Sequence, residues 1–327
     1  MKRIAYIVIL ALLVSCEKNI SSEFAEDAGN WFAISGLITG GEVLSLDVSE
    51  TVNLVQIDSL KKVDDATVEG WVNGQSVLFT QPSEGVYTSG NVVIEPGDAI
   101  RVRCSGRELP KAIVELKVPE LPLISDFTWY IDEEYVLHVE ALLADPLGQA
   151  DYYSIRATGI KQYTESIHTF DSVYYVEYLA EGYYHGYNFP DSLGEYSTRS
   201  GRSFSDNSER MIKSGQIIYF TDQQFDGATQ QLNMEYALWN SWNDSIPELS
   251  FHIAKNDVHL FNYIESFIHY NPDPDIPIMQ PVRVYTNVEN GFGLLTAESK
   301  ITEVVDLTDV YSNPDFLAYR DSVMSKK

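Results

Sequence analysis

Short strand-like runs separated by turn residues dominate the first third of this chain. The clearest pair is Thr67–Val72 and Val77–Phe79, which flank Asn73-Gly74, a dipeptide that readily supplies the two positive φ angles of a type I′ turn. Ala99–Cys104 alternates apolar and polar residues, as a strand with one buried face does. Such runs recur about every ten residues without a helical pattern between them, which predicts an immunoglobulin-like β-sandwich over residues 31–118.

The rest of the chain is also predicted to be mainly β. Pro119 and Pro122 fall within one four-residue stretch, and because proline lacks an amide donor they favour an extended connector over residues 119–125. Beyond the connector, runs such as Tyr135–Leu143 are strand candidates. Apolar residues recur at spacings of three and four near 256–270, as on one face of a helix. The predicted fold is therefore mainly β, with the sandwich followed by a second antiparallel β-rich domain over 126–327 that contains one amphipathic helix.

The N-terminus has the features of an export signal. Lys2 and Arg3 precede an apolar stretch from Ile4 to Val14, which is shorter than the roughly 20 residues that a membrane-spanning helix needs. Leu13-Val14-Ser15-Cys16 then resembles the bacterial lipobox, in which the signal is cut before a lipid-modified cysteine. We therefore expect residues 1–15 to be a lipoprotein signal peptide and Cys16 to be the lipid attachment site. An ordinary signal peptide followed by a chance cysteine is the alternative.

Residues 16–30 are polar and acidic, which predicts a short tether between the lipid and the folded body. An acidic start after the cysteine resembles the export signal of Gram-negative bacteria that display lipoproteins outside the cell. The expected location is the outer membrane, with the protein lipid-anchored and exposed at the cell surface. A body that faces the periplasm is the other orientation left open.

The charge of the chain excludes two classes of partner. Against 48 Asp and Glu residues it has 22 Lys and Arg residues, for a formal net charge of −26. Nucleic acids and anionic lipid surfaces are held by clustered basic side chains, so neither is an expected partner. The membrane contact predicted from the sequence is the lipid anchor alone.

Motifs for catalysis and metal binding do not point to a site. The six histidines are scattered without the spacing of metal ligands, and no nucleophile elbow or phosphate-binding glycine loop occurs. With so many carboxylates, sequence alone nominates no glycosidase pair. We therefore expect no catalytic residue, no cofactor and no metal site, and a protein that is not an enzyme.

A tyrosine-rich stretch is the main candidate for ligand recognition. Eight of the 21 tyrosines lie within residues 163–196. Cross-strand packing explains the part around Tyr174–Tyr178, but the glycine-interrupted stretch that follows is typical of a loop. Aromatic residues with a polar tip suit sugar or protein contacts, and the candidates for contact with a glycan, a peptide or a partner are Tyr183, Tyr184, Tyr187 and Phe189.

Five Asp-Ser-aliphatic triplets resemble the acceptor motif for periplasmic O-glycosylation. Three-letter motifs are weak, and local turn chemistry is the alternative explanation for all five. The candidate O-glycosylation sites are Ser59, Ser172, Ser192, Ser245 and Ser322.

Several segments together resemble the domain-of-unknown-function 4249 family of lipoproteins. They include Trp31–Thr39, Tyr219–Gly227, and the stretch Gln280–Leu295 with its Asn-x-x-Asn-Gly-x-Gly pattern. The resemblance covers nearly all of the chain after the signal peptide. It implies an outer-membrane lipoprotein that accompanies a TonB-dependent receptor in nutrient uptake, and it supplies no catalytic residues.

Three functional hypotheses follow. The first is a non-catalytic binding or accessory subunit beside a TonB-dependent nutrient-uptake receptor. The second is an adhesive or structural surface lipoprotein, and the third is a surface hydrolase with a carboxylate site that sequence alone does not reveal. The lipobox, the family resemblance and the failure of the catalytic motifs favour the first.

Overall fold

The structure, a computed structural model, describes residues 30–51, 61–167, 170–179, 211–214, 217–238, 245–270 and 284–325. Within these ranges the strands are β1 (Phe32–Thr39), β2 (Val43–Glu50), β3 (Lys61–Lys62), β4 (Thr67–Val72), β5 (Gln75–Leu78), β6 (Thr80–Ser83), β7 (Val86–Val93), β8 (Ala99–Gly106), β9 (Leu109–Lys117), β10 (Leu123–Ile131), β11 (Val136–Ala144), β12 (Tyr152–Ile167), β13 (Phe170–Leu179), β14 (Met211–Ser214), β15 (Ile217–Thr221), β16 (Thr229–Ala237), β17 (Ser245–Asn256) and β18 (Leu295–Asp306). The helices are α1 (Val258–Tyr270), α2 (Thr308–Tyr311) and α3 (Pro314–Met324). The prediction of a mainly β fold with antiparallel sheets and one longer amphipathic helix is confirmed.

The first half is a β-sandwich. Strands β1, β2, β3, β6 and β7 lie on one side, and a four-stranded sheet in the order β5-β4-β8-β9 lies on the other. Alternate residues of the facing strands, among them Ile34, Leu46 and Val102, form one buried core. The predicted Asn73-Gly74 turn joins β4 to β5 with φ angles of 51° and 77°, which confirms the hairpin.

The second half packs a larger sheet against a smaller one. Strands β14, β15, β12, β17 and β18 follow one another in the larger sheet, with β13 also paired to β12, and the smaller sheet has the order β10-β11-β16. Aromatic side chains such as Tyr153, Phe220 and Phe251 fill the core between them. Phe316 of α3 lies in the same core, so the C-terminal helix is part of the packed body. Strand β10 begins at Leu123, within residues 119–125, where the two prolines predict an extended connector.

A parallel strand pair joins the two halves. Strand β18 pairs with β1 in the register Gly36↔Leu295 to Thr39↔Glu298, which produces one sheet of eleven strands through the molecule. The backbone just before β18 passes so close to β1 that a Cβ on Gly293 would lie 2.1 Å from the carbonyl oxygen of Ile34. Glycines in the Asn-Gly-x-Gly stretch are therefore required by this contact.

Helix α1 begins where its sequence predicts. Asp257 accepts a hydrogen bond from the amide of Leu260 at 2.9 Å, as an N-cap residue does. It also accepts one from the amide of Ala297 at 3.0 Å, which ties the helix start to β18. Burial raises the pKa of the Asp257 carboxyl. Among the described residues, no helix has the length and apolar character needed to span a membrane.

Candidate functional site

An aromatic and cationic surface lies on the outer side of the four-stranded sheet. Trp71 on β4 is paired with Arg101 on β8, and Arg101 is paired with Glu115 on β9. Directly paired residues share a face of the sheet, and their neighbours Gly70, Val102 and Val114 are buried on the other face. We call the surface formed by Glu69, Trp71, Arg101, Arg103 and Glu115 the Trp71 face.

Two guanidinium groups lie near the indole ring of Trp71. The Cζ atoms of Arg101 and Arg103 are 5.7 Å and 5.4 Å from the ring centroid, within the range of cation–π attraction. Arg103 is also held by Glu69, with 2.7 Å between Nε and Oε2 and a second contact from Nη2 to the same oxygen. Arg101 pairs with Glu115 through Nε at 3.1 Å. The two arginines therefore share one aromatic neighbour but differ in how firmly a carboxylate holds them.

A shallow cleft of about 570 Å³ opens beside Trp71. Its lining residues are Trp71, Gly74, Ala99, Ile100, Arg101, Glu115 and Leu116. Two hydrogen bonds of the Asn73 side chain hold the adjacent turn in place. Its Nδ2 donates to Asp98 Oδ1 at 2.6 Å, and its Oδ1 accepts from the backbone amide of Ala99 at 3.0 Å. The cleft thus combines an aromatic wall, a cation and a braced turn, a combination suited to an anionic group next to an apolar one.

The outer side of this sheet carries a positive charge. Arg101, Arg103, Lys111 and Lys117 face outwards, against Glu69, Glu115 and Glu289, which pairs with Ile113 at the edge of β9, so that 4 − 3 leaves a net charge of +1. The whole chain has a net charge of −26. A locally positive surface on so acidic a protein is a feature that an acidic partner would recognise.

A second cluster consists of carboxylates at one end of the second half. One ligand oxygen from each of Asp145, Asp222 and Asp226 lies within 4.8 Å of the others. Asp145 follows β11, Asp222 follows β15, and Asp226 lies in the turn before β16. Oxygen ligands in such a group are those that a hard divalent cation such as Ca²⁺ takes, so these three residues could hold a metal.

The same carboxylates already bind backbone and side-chain donors. Tyr153 donates its hydroxyl to Asp145 at 2.7 Å, the amide of Asp151 donates to Asp222 at 2.8 Å, and the amide of Gly148 donates to Asp226 at 2.7 Å. Lys255 forms an ion pair with Asp151 beside them. Burial, assisted by the neighbouring carboxylates, raises the pKa of Asp145 and that of Asp222. These hydrogen bonds join the loop after β11 to the loop after β15.

The residues predicted from sequence are only partly covered by the structure. Ser322 is exposed on α3. Ser172 lies in β13 and Ser245 in β17, and the structure describes the backbone but not the side chain of these two residues. Outside the described residues lie Cys16, Ser59, Tyr183, Tyr184, Tyr187, Phe189 and Ser192. Lipidation, glycosylation and recognition by the tyrosine-rich stretch therefore stay predictions.

Neither the Trp71 face nor the carboxylate cluster was predicted from the sequence, although each has a recognisable sequence feature. The alternation in β4 places Trp71 on the outer face, and a large aromatic residue at an outward position is a clue to binding. Asp222 and Asp226 both fall within Tyr219–Gly227, one of the segments of the family resemblance. In each case the partners come from distant strands, which a local pattern does not identify.

Comparison with known proteins identifies a family and little more. The family model described as "Domain of unknown function (DUF4249)" matches residues 17–303. No curated protein matches the chain. Among solved structures, a crystal structure of bovine butyrophilin is 12% identical, and the match covers 68% of this chain and 91% of that one with a TM-score of 0.19. A TM-score that low supports no argument about fold or function.

Proposed function

Because the chain belongs to the DUF4249 family, whose model matches residues 17–303, we propose that it is a lipid-anchored binding subunit beside a TonB-dependent nutrient-uptake receptor. In this proposal Cys16 carries the lipid, and the body sits on the outer membrane at the cell surface. The protein is non-catalytic and contributes a contact surface. Membership in the family agrees with the resemblance found in the sequence, and the lipobox supports the anchor.

The observation that carries the binding role is the Trp71 face. Trp and Arg are the residue types that most often dominate the energetics of protein interfaces. Here Trp71 and Arg101 border a cleft of about 570 Å³ on the outer side of the sheet, where a partner has access to them. A tether of 15 residues reaches at most about 50 Å when fully extended, so in this proposal the tether limits how far the folded body moves from the membrane that holds its partner.

The carboxylate cluster is the observation that favours the hydrolase alternative, because two of its aspartates have a raised pKa. Asp145 and Asp222 are, however, only 7% and 4% exposed, and each accepts a backbone amide from a neighbouring loop. Donors from the protein itself thus occupy these two buried carboxylates, and Asp226 is the one exposed member of the cluster. The geometry therefore supports binding over hydrolysis.

Affinity purification from mildly solubilised outer membranes tests the proposal. The tagged wild-type chain, a Cys16→Ala variant and a Trp71→Ala variant would be isolated from the native cells, and co-purifying proteins identified by mass spectrometry. We expect a stoichiometric TonB-dependent receptor with the wild type, less of it with Trp71→Ala, and a released, soluble Cys16→Ala protein. Isolation of the wild type without a receptor would refute the accessory role, and a membrane-bound Cys16→Ala protein would refute the anchor.

A further inference from the structure

The Trp71 face holds one arginine firmly and a second one loosely. Arg103 is bound by Glu69 through two nitrogens, and the two side chains are 35% and 38% exposed. Arg101 uses Nε alone for Glu115, and these two side chains are 50% and 64% exposed. Exposed pairs with a single contact contribute little free energy and exchange readily with other ions. Arg101 is therefore the cation that an incoming carboxylate can capture.

The indole ring of Trp71 favours a ligand that has an apolar group next to its carboxylate. This ring forms one wall of the cleft next to Arg101. Ile100 and Leu116 also border the cleft, but their side chains are buried in the core on the other face of the sheet, so Trp71 is the apolar surface that a ligand contacts. An apolar or aromatic side chain adjacent to the captured carboxylate would fill this space and exclude water from the ion pair. A volume of about 570 Å³ lies within the usual range for small-ligand pockets, which corresponds to a few side chains of a peptide.

From this arrangement we propose that the Trp71 face binds an acidic protein segment that carries an apolar residue beside a carboxylate. The segment's carboxylate replaces Glu115 on Arg101, and its apolar side chain packs on Trp71 in the cleft. Glu115 is then a built-in competitor that keeps Arg101 in place when no partner is bound. The proposal rests on the binding role proposed above and names the chemistry of the partner.

The charge of this face favours an acidic occupant. With Glu289 included, the outer side of the four-stranded sheet has a net charge of +1, and its surplus of cations comes from Lys111 and Lys117 beside the paired arginines. Complementary charge accelerates association and sets the orientation of a partner, while a central aromatic contact supplies affinity. An acidic segment with a single apolar anchor satisfies both requirements at this surface.

Three variants separate this mechanism from diffuse attraction between charges. Glu115→Gln removes the competitor, Arg101→Gln removes the receiving cation, and Lys111→Gln removes an equal charge two rows away from the cleft. The probe is a fluorescein-labelled octapeptide with six Glu residues around a central Leu-Phe pair. Its binding to the detergent-solubilised full chain is measured by fluorescence anisotropy, with a peptide that has Gln in place of Glu as the control.

We expect Glu115→Gln to tighten binding of the acidic peptide about two- to fivefold, as the loss of an exposed competing pair allows. Arg101→Gln should weaken binding at least about fivefold, and Lys111→Gln less than about twofold. Equal effects of Arg101→Gln and Lys111→Gln, or weaker binding by Glu115→Gln, would overturn the proposal. So would binding of polygalacturonate in place of the peptide, which would make the occupant an anionic polysaccharide.

Failure here is distinguishable from failure of the accessory role. If a receptor co-purifies equally with the wild type and with Arg101→Gln, the acidic-segment proposal is wrong and the accessory role stands. If the wild type isolates no receptor but binds the acidic peptide with the expected variant pattern, the face has the chemistry proposed and the partner is another protein.

Discussion

Substitution of Gly293 by Ala should break the connection between the two halves of the protein. Gly293 has φ +97°, and a Cβ placed on it would lie 2.1 Å from the carbonyl oxygen of Ile34 and 2.9 Å from the carbonyl carbon. These are backbone atoms of β1, so no side-chain rotation relieves the clash. The backbone of residues 292–294 must move away from β1, because real Cβ atoms do not approach that closely.

The magnitude follows from two separate costs. A side chain in the left-handed region costs about 1–2 kcal/mol. The displacement also lengthens the hydrogen bonds from the Ile34 amide to Phe292 (2.9 Å) and from the Gly36 amide to Leu294 (3.0 Å). Leaving such groups buried and unpaired costs about 1–3 kcal/mol each, so the free energy of unfolding should fall by roughly 3–8 kcal/mol in total.

Gly41→Ala is the matched control. Gly41 has φ +89°, but no atom lies within 4 Å of the position of its Cβ. It therefore carries the conformational cost without the clash, and we expect a loss of about 1–2 kcal/mol.

Urea unfolding of both variants and the wild type, followed by tryptophan fluorescence and circular dichroism, measures the difference. We also expect the Gly293→Ala transition to broaden or divide, since the β1–β18 pair joins two separate cores. Equal destabilisation by Gly293→Ala and Gly41→Ala would refute the steric reasoning, and the close approach of the two strands with it.

Three further predictions concern other parts of the molecule. Burial raises the pKa of Asp145, so folding favours the protonated form of this carboxyl. Its contribution to stability is present below the pKa of the unfolded state and is lost as the pH rises through the raised pKa of the folded state. Asp145→Asn should reduce that loss in urea midpoints measured between acidic and neutral pH, and an unchanged pH profile would contradict this. Burial raises the pKa of the Cys104 thiol to about 12, so a thiol reagent should leave Cys104 unmodified in native buffer and label it in urea, with rapid native labelling as the contrary result. Ser322 is exposed on α3 within Asp-Ser-Val, so intact mass should show added hexose that decreases with Ser322→Ala; protein secreted by its native host without added hexose would end this hypothesis.

The candidate binding surface could be predicted only in part from the sequence. The alternation in β4 assigns Trp71 to one face, and the Asn73-Gly74 turn predicts which strand lies next to it. The pairing of Trp71 with Arg101, thirty residues further along the chain, depends on which strands the sandwich places side by side. Arg101 and Arg103 are therefore unremarkable in the sequence and acquire a role only in the sheet.

Local rules determined much of this protein before any tertiary contact was considered. Turn chemistry at Asn73-Gly74, the helical spacing after Asp257 and the alternation of the strands all concern residues within a few positions of one another. Each is confirmed because the conformational preference of a short segment agrees with the burial of one of its faces.

The tertiary structure decided everything that depends on distant segments. It pairs β1 with β18, brings Asp145 within metal-ligand distance of Asp222 and Asp226, and surrounds Trp71 with two arginines. Many strands of this chain share the same alternating pattern, so local conformational preference does not select which of them pair with each other. Their order is selected by how the complete set of apolar faces closes into two cores, a property that no short segment contains.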